Sequence, residues 1–143
     1  MIGLKSEVLK ANRTFYEVFR LGDYLRMDAI WSRVGDVSVQ HPGWVNIEGR
    51  EDVMASWYQL MVLGEPPPIY CSNETVILNG SKAVVFCTEE IGNAEFSGSN
   101  VFVYEAQDWR LLHHQAAPLA RREQYREELS RIQARWEGKG GPA

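Results

Sequence analysis

The chain has 143 residues, 45% of them apolar and 24% charged, with a formal net charge of −4. That length suits a single domain with one core, and the net negative charge offers no global positive field for nucleic acid. No apolar run is long enough for a bilayer span. The opening MIGLKSEVLKANRTFYEVF spreads its charges at helical spacing and lacks a basic segment, apolar run and small-residue cleavage site. A cytoplasmic protein that binds neither nucleic acid nor membrane is expected.

Residues 4–21 read as an amphipathic helix, because Leu4, Val8, Ala11, Phe15, Val18 and Phe19 recur at spacings of three and four. Gly22 suits the left-handed position after a helix, and Asp23 suits the N-cap of the next one. That second helix is short, from about Tyr24 to Ser32. Residues 36–41 alternate polar and apolar as a strand does, and Pro42-Gly43 ends it. A loop with Trp44 leads to Gly49, after which Glu51 and Asp52 fit the first turn of a third helix with Val53, Trp57 and Leu60 on its buried face. Pro66-Pro67-Pro68 closes this helical half.

The period then changes. Residues 69–78, 82–91, 95–105 and 109–117 read as four strands rich in Val, Ile, Phe, Tyr and Thr. Turns at Asn79-Gly80, Gly92-Asn93 and Ala106-Gln107-Asp108 are short enough for a sequential antiparallel meander. Helices first and one sheet afterwards is an α+β arrangement. With Asn79-Gly80 as a two-residue turn, Cys71 pairs with Thr88 and Cys87 with Ser72, so the two thiols face opposite ways and stay free. Nothing in their spacing suggests a metal site, and no cofactor is expected. Residues 119–137 are charge-rich, yet Tyr125, Leu129, Ile132 and Trp136 form a narrow apolar stripe on a final helix. Residues 138–143 are expected to fray, so the organisation reads as a domain over 1–118, a helical extension over 119–137 and a tail.

The order of elements and several motifs resemble the nuclear transport factor 2-like superfamily, and within it SnoaL-like bacterial proteins related to ketosteroid isomerase. The motifs are Leu21-Gly22-Asp23, His41-Pro42-Gly43-Trp44, Gly49-Arg50, Ser56-Trp57 and the run Trp109-Arg110-Leu111-Leu112-His113-His114-Gln115. The resemblance implies a cone-shaped antiparallel sheet, also described as cystatin-like, curled around the first helices over one cavity. It implies that His41 looks into that cavity, where ketosteroid isomerase carries its general-base Asp. An imidazole with pKa near ~6.5 suits either proton role at neutral pH. The isomerase's helix-one Tyr falls on Phe15, with Tyr16 next to it on another azimuth, and its protonated Asp falls on Asn100. Such a partial match argues against steroid isomerisation.

Turn counting adds a constraint. A three-residue loop at Ala106-Gln107-Asp108 places Asn100 opposite His114 and Phe102 opposite Leu112 on one face, while Val101, Val103, Leu111, His113 and Gln115 point outward. A four-residue loop would put His113 inside instead. His41, Asn100 and His114 are therefore the candidate catalytic residues. Phe15, Tyr16, Trp31, Trp44, Trp57, Phe102 and Leu112 are the candidate ligand-binding wall, Trp44 as a lid. Each has a plainer alternative: His41 as a loop cap, Asn100 with His114 as a structural pair, Trp31 and Trp57 as core. Arg50 is expected at a helix start on the surface, and His113 at an exposed or interface position.

Two functions stay open. One is a pocket protein acting on a small apolar carbonyl or hydroxyl compound, as an isomerase, dehydratase or hydrolase. The other is an assembly module resembling kinase association domains. A deep cavity holding His41 favours the first, and one plugged by Phe15, Trp31 and Trp57 the second. A homodimer or larger assembly is expected, because the outer sheet face is too apolar for exposure, with a monomer as the alternative if the stripe of the final helix covers that face of its own chain.

Overall fold

The structure is a computed structural model that describes residues 4–119 and 122–138, the side chains of 122–125 excepted. The first helix, α1 (Lys5–Leu21), buries Val8, Asn12, Phe15, Tyr16, Val18 and Phe19 and stops at Gly22, whose φ of +68° is the left-handed geometry glycine adopts freely. A β-carbon at Gly22 would lie 2.9 Å from Pro66 Cγ, so the turn is also a close-packing point. The second helix, α2 (Tyr24–Ile30), is capped by the Asp23 carboxylate, which accepts from the Arg26 amide. Two short strands follow, β1 (Ser38–Gln40) and β2 (Ile47–Glu48), the latter not foreseen from the sequence. Helix α3 (Arg50–Tyr58) begins after Gly49 and runs on as one π-helical segment, Gln59–Leu63.

The chain then forms β3 (Ile69–Asn79), β4 (Lys82–Ile91), β5 (Ala94–Glu105) and β6 (Asp108–Pro118). The six strands make one sheet in the order β2-β1-β6-β5-β4-β3. The meander is antiparallel as expected, but β1 joins β6 in parallel, so the sheet is mixed. That parallel pairing sets Val39 beside His114 and brings the end of β1 to the middle of β6. Helix α1 packs against β3, β4 and β6, and α3 closes the other end through β1 and β2. The buried apolar residues between them form one core.

Two registers differ from the expected ones. The β3–β4 turn is Gly80-Ser81, with Asn79 opposite Lys82, which moves the pairing by two residues. A bulge at Asn73-Glu74, with Asn73 at φ +53°, takes one residue back. The net slip of one brings Cys71 opposite Glu89, so Cys71 and Cys87 share the inner face. Both thiols are free, although they do not face opposite ways. The β5–β6 turn is Ala106-Gln107, two residues with both φ positive, as a type I′ hairpin requires. A bulge between Val101 and Phe102 then restores Asn100 opposite His114, while Phe102 faces Leu111. Leu111 is therefore buried inside. Leu112 is the extra bulge residue, half-buried beside Gly35, and does not belong to the inner wall.

The final helix, α4 (Arg122–Gly138), exposes Leu129, Ile132 and Trp136. The Tyr125 side chain and the tail beyond Gly138 lie outside the described residues. Among the described residues no helix is long and apolar enough to cross a membrane.

Candidate functional site

Strand alternation aims Ala83, Val85, Cys87 and Glu89 of β4 and Gly98, Asn100 and Phe102 of β5 at α1. From β6 come Leu111 and His114. From α1, Asn12, Phe15, Tyr16 and Phe19 point back at them. His41, just past β1, and Ser56 and Trp57 of α3 close the end of this interior.

The aromatic part is dense. The Trp57 ring centroid lies 5.6 Å from Phe15, 4.9 Å from Phe19, 6.2 Å from Trp31, 4.7 Å from His41 and 5.8 Å from His114. Phe15 sits 4.9 Å from His114, and the two imidazoles are 6.5 Å apart. Trp44, half-buried in its loop, stands edge-on to His41 at 5.0 Å. Rings thus fill the space beside the two histidines. Yet the buried indole N–H groups of Trp31 and Trp57 find no acceptor among the described residues.

The polar part is a chain of hydrogen bonds with fixed directions. Asn100 Oδ1 can only accept, so His114 Nδ1 donates to it, at 2.5 Å. The Asn100 amide donates to Asn12 Oδ1 at 2.8 Å and to the Tyr16 hydroxyl at 3.0 Å. Tyr16 in turn donates to Glu89 Oε2 at 2.6 Å and touches Cys87 Sγ at 3.2 Å. His114 Nε2 is left facing Glu89 Oε2 at 3.8 Å. Asn12 continues the chain outward to Glu74, which also accepts from Arg13. At the other end Ser56 donates to the Val53 carbonyl, so it accepts from His41 Nε2 at 3.0 Å. His41 is thereby the Nε2–H tautomer, with its Nδ1 lone pair unengaged by any described residue.

Burial governs the proton affinities. It lowers His41 to about 4 and holds His114 well below the usual imidazole value, helped by the neighbouring His41 and His113. It pushes Glu89 up to about 7 against the Tyr16 hydrogen bond, which favours the carboxylate. Burial, then the Glu89 charge, raises Tyr16 well above a normal phenol. Cys87 rises to about 12 and Cys71 to about 11, both chiefly by burial, so neither is a thiolate nucleophile at neutral pH. Among the described residues no three His, Cys, Asp or Glu side chains gather as metal ligands.

The expected residues fall out unevenly. His41, Asn100, His114, Phe15, Tyr16, Trp31, Trp57 and Phe102 all lie in this interior, buried. Tyr16 does reach Asn100, because α1 lies between β5 and the α3 end and buries two adjacent azimuths. Trp44 touches the rim through His41 alone among the rings, and Leu112 is replaced by Leu111. His113 lies on the outer side, bonded to Ser38 Oγ at 2.6 Å and Gln115 at 2.8 Å. Arg50 opens α3 and binds the carbonyls of Asp28, Trp31 and Ser32, so it caps α2.

The model of the SnoaL-like domain matches residues 8–121. The chain belongs to that family. A proposed dehydratase of the nuclear transport factor 2-like family from Streptomyces avermitilis is 28% identical with a TM-score of 0.74, covering 81% of this chain and 96% of its own. A proposed calcium/calmodulin-dependent protein kinase type II association domain from Thiobacillus denitrificans is 26% identical with a TM-score of 0.66, over 77% and 93%. A proposed ketosteroid isomerase from Parabacteroides distasonis, 13% identical with a TM-score of 0.63 over 78% and 85%, shares the fold. No curated protein matches the chain.

In this SnoaL-like interior three groups were not singled out from the sequence: Glu89, Asn12 and Cys87 as a polar contact. The signal for Glu89 was present. Ala83, Val85 and Cys87 alternate toward the core, and the next residue on that face is Glu89.

Proposed function

We propose that this SnoaL-like protein binds a small apolar molecule bearing a carbonyl or hydroxyl in the interior around His41, Trp57 and His114, and moves a proton on it. The chemistry is of isomerase, dehydratase or hydrolase type, with a neutral imidazole as the proton acceptor. The observation that carries the reading is the polar equipment of an aromatic interior. A buried indole N–H without a partner costs about 1–3 kcal/mol, and a plug built for stability alone would be better made of Phe, Leu and Met. Trp57, whose ring packs against both imidazoles, keeps such an N–H, which a ligand oxygen would satisfy. The half-buried Trp44, after Pro42 and Gly43, is the ring best placed to swing aside for entry. The 28% identity to a proposed dehydratase supports the same class.

The test compares p-cresol with toluene by saturation-transfer NMR and calorimetry. The reading expects p-cresol to bind at least tenfold more tightly, and His41→Phe and Trp57→Phe each to erase most of that difference. Equal affinity for the two probes, or no binding of either at millimolar concentration, would refute it.

A second reading, a homodimeric assembly module, draws on the outer surface and on the rings of Phe15, Trp31 and Trp57, which pack together in the interior as that reading expects. Ile77 is 51% and Phe86 45% exposed on the outer sheet face, and Trp136 is 58% exposed on α4. The 26% identity to a proposed association domain points the same way. Sedimentation equilibrium of the full chain and of a form ending at Pro118 tests it. A full-length monomer at tens of micromolar eliminates the dimer.

A further inference from the structure

We propose that Glu89 and His114 form a buried acid–base pair that shares one exchangeable proton, with Glu89 holding it and the Tyr16–Asn100 chain dictating that only His114 Nε2 can receive it. Its use in catalysis rests on the function proposed above, where Glu89 would act through His114 as a positioning residue. The existence of the pair does not.

The geometry supplies four reasons. First, the direction of the hydrogen bonds is fixed by the Asn100 carbonyl oxygen, which accepts from His114 Nδ1 and leaves Nε2 as the basic atom. Second, Nε2 faces Glu89 Oε2 at 3.8 Å, about an ångström beyond a charge-assisted hydrogen bond and within reach of a small carboxyl rotation. Third, both side chains are 2–3% exposed, so a full charge on either is expensive and the pair favours one proton and no net charge. Fourth, the sheet makes room for the acid. A β-carbon on Gly98 would lie 2.8 Å from Glu89 Oε2 and 2.9 Å from the Tyr16 hydroxyl, so the glycine leaves the seat in which the two meet.

The surrounding groups do not neutralise Glu89. From α1 it meets Tyr16, which donates a hydrogen bond but no charge. From β3 come Cys71, opposite it in register, and Glu74, whose charge is taken by Arg13 and Asn12. From β4 comes Cys87, kept as a thiol by burial. From β6 comes only His114, and His41 lies beyond it, 6.5 Å away ring to ring. No cation among the described residues bonds the Glu89 carboxylate. The step is a simple proton transfer. The O–H bond of the Glu89 carboxylic acid breaks, an N–H bond forms at His114 Nε2, and a carboxylate–imidazolium pair results. Burial raising Glu89 to about 7 and lowering His114 agrees with the proton resting on the acid.

The experiment is a pH titration of the full chain by NMR, reading the Glu89 carboxyl ¹³C shift and the His114 ring nitrogens together. His114 is expected as the Nδ1–H tautomer, with Glu89 titrating near neutrality and the His114 nitrogens moving in the same step. Glu89→Gln should remove that step from the His114 signals. Tyr16→Phe, which deletes the one hydrogen bond favouring the carboxylate, should move the Glu89 midpoint upward, and this keeps the proposal testable should Glu89→Gln not fold. A Glu89 carboxyl ionised by pH 5, a His114 signal blind to the Glu89 step, or a midpoint that falls in Tyr16→Phe would overturn it. Persistence of the step in a protein that fails to bind p-cresol would sink the ligand reading and leave the pair standing.

Discussion

Glu89→Gln should make the protein more stable at alkaline pH and leave it unchanged in acid. A group whose folded pKa lies above its unfolded value is bound to its proton more tightly in the folded state. The folded state therefore carries the extra proton between the two values, and stability falls as pH rises through that window. For Glu89 the window runs from 4.5 to about 7. At 1.36 kcal/mol per unit the full loss is about 3 kcal/mol, reached above pH 8. Gln has the shape of the neutral acid and accepts from Tyr16 as the acid does, but it cannot ionise. Urea denaturation of both proteins from pH 4 to 9 measures the difference. The stability gap should be near zero at pH 4, open between pH 5 and 7, and level off at about 3 kcal/mol in favour of the variant. A gap that does not change with pH would overturn this expectation, because it would show that Glu89 holds its proton equally well in the folded and unfolded states.

Acid should act through His41 in the opposite sense. Its folded value of about 4 lies below the usual 6.5, so stability is lost as pH falls between them. His41→Gln should remove about 3 kcal/mol of that acid-induced loss, seen as a flatter melting-temperature profile below pH 6.5. Gly98→Ala should cost about 1–3 kcal/mol by overpacking, and the Tyr16 ring signals should shift as its hydroxyl leaves Glu89, 2.9 Å and 2.8 Å from the new β-carbon. Leu111→Ala should cost about 2–5 kcal/mol and Leu112→Ala less than half as much, because only Leu111 is fully buried. Equal losses in chemical denaturation would place the bulge elsewhere.

Apart from the two-residue β2, the sequence made the element types and their order legible because each was over-determined. In α1 the apolar period, Gly22 and Asp23 agree, and in β3–β6 the β-branched runs are separated by short turns. Boundaries held to within a few residues for the same reason. Register was less accessible, since a bulge leaves no reliable mark in one sequence. In β5–β6 two departures cancelled, a shorter turn and a bulge at Leu112, so Asn100 still met His114 while Phe102 met Leu111. In β3–β4 the corresponding departures did not cancel, and both cysteines came to the inner face. The parallel seam between β1 and β6 had no local signal either, as it pairs residues 75 positions apart in the chain.

The site divides along the same line. His41 and Trp57 stood out because a His before Pro-Gly and a Trp within a short helix are conspicuous, and the fold brings them within 4.7 Å. Glu89 did not, because Glu89-Glu90 at the end of a strand reads as a solvated pair. Parity alone decides between the two: Glu90 follows Phe86 and Thr88 outward, and Glu89 follows Val85 and Cys87 inward. What makes the inward choice tolerable is distant in sequence, the absent side chain of Gly98 and the Tyr16 hydroxyl of α1. A buried carboxyl is therefore readable from one chain only when its strand, its vacated neighbour and its donor are considered together. Those three conditions are met here on three separate elements that converge on Glu89 Oε2, the atom that faces His114 Nε2.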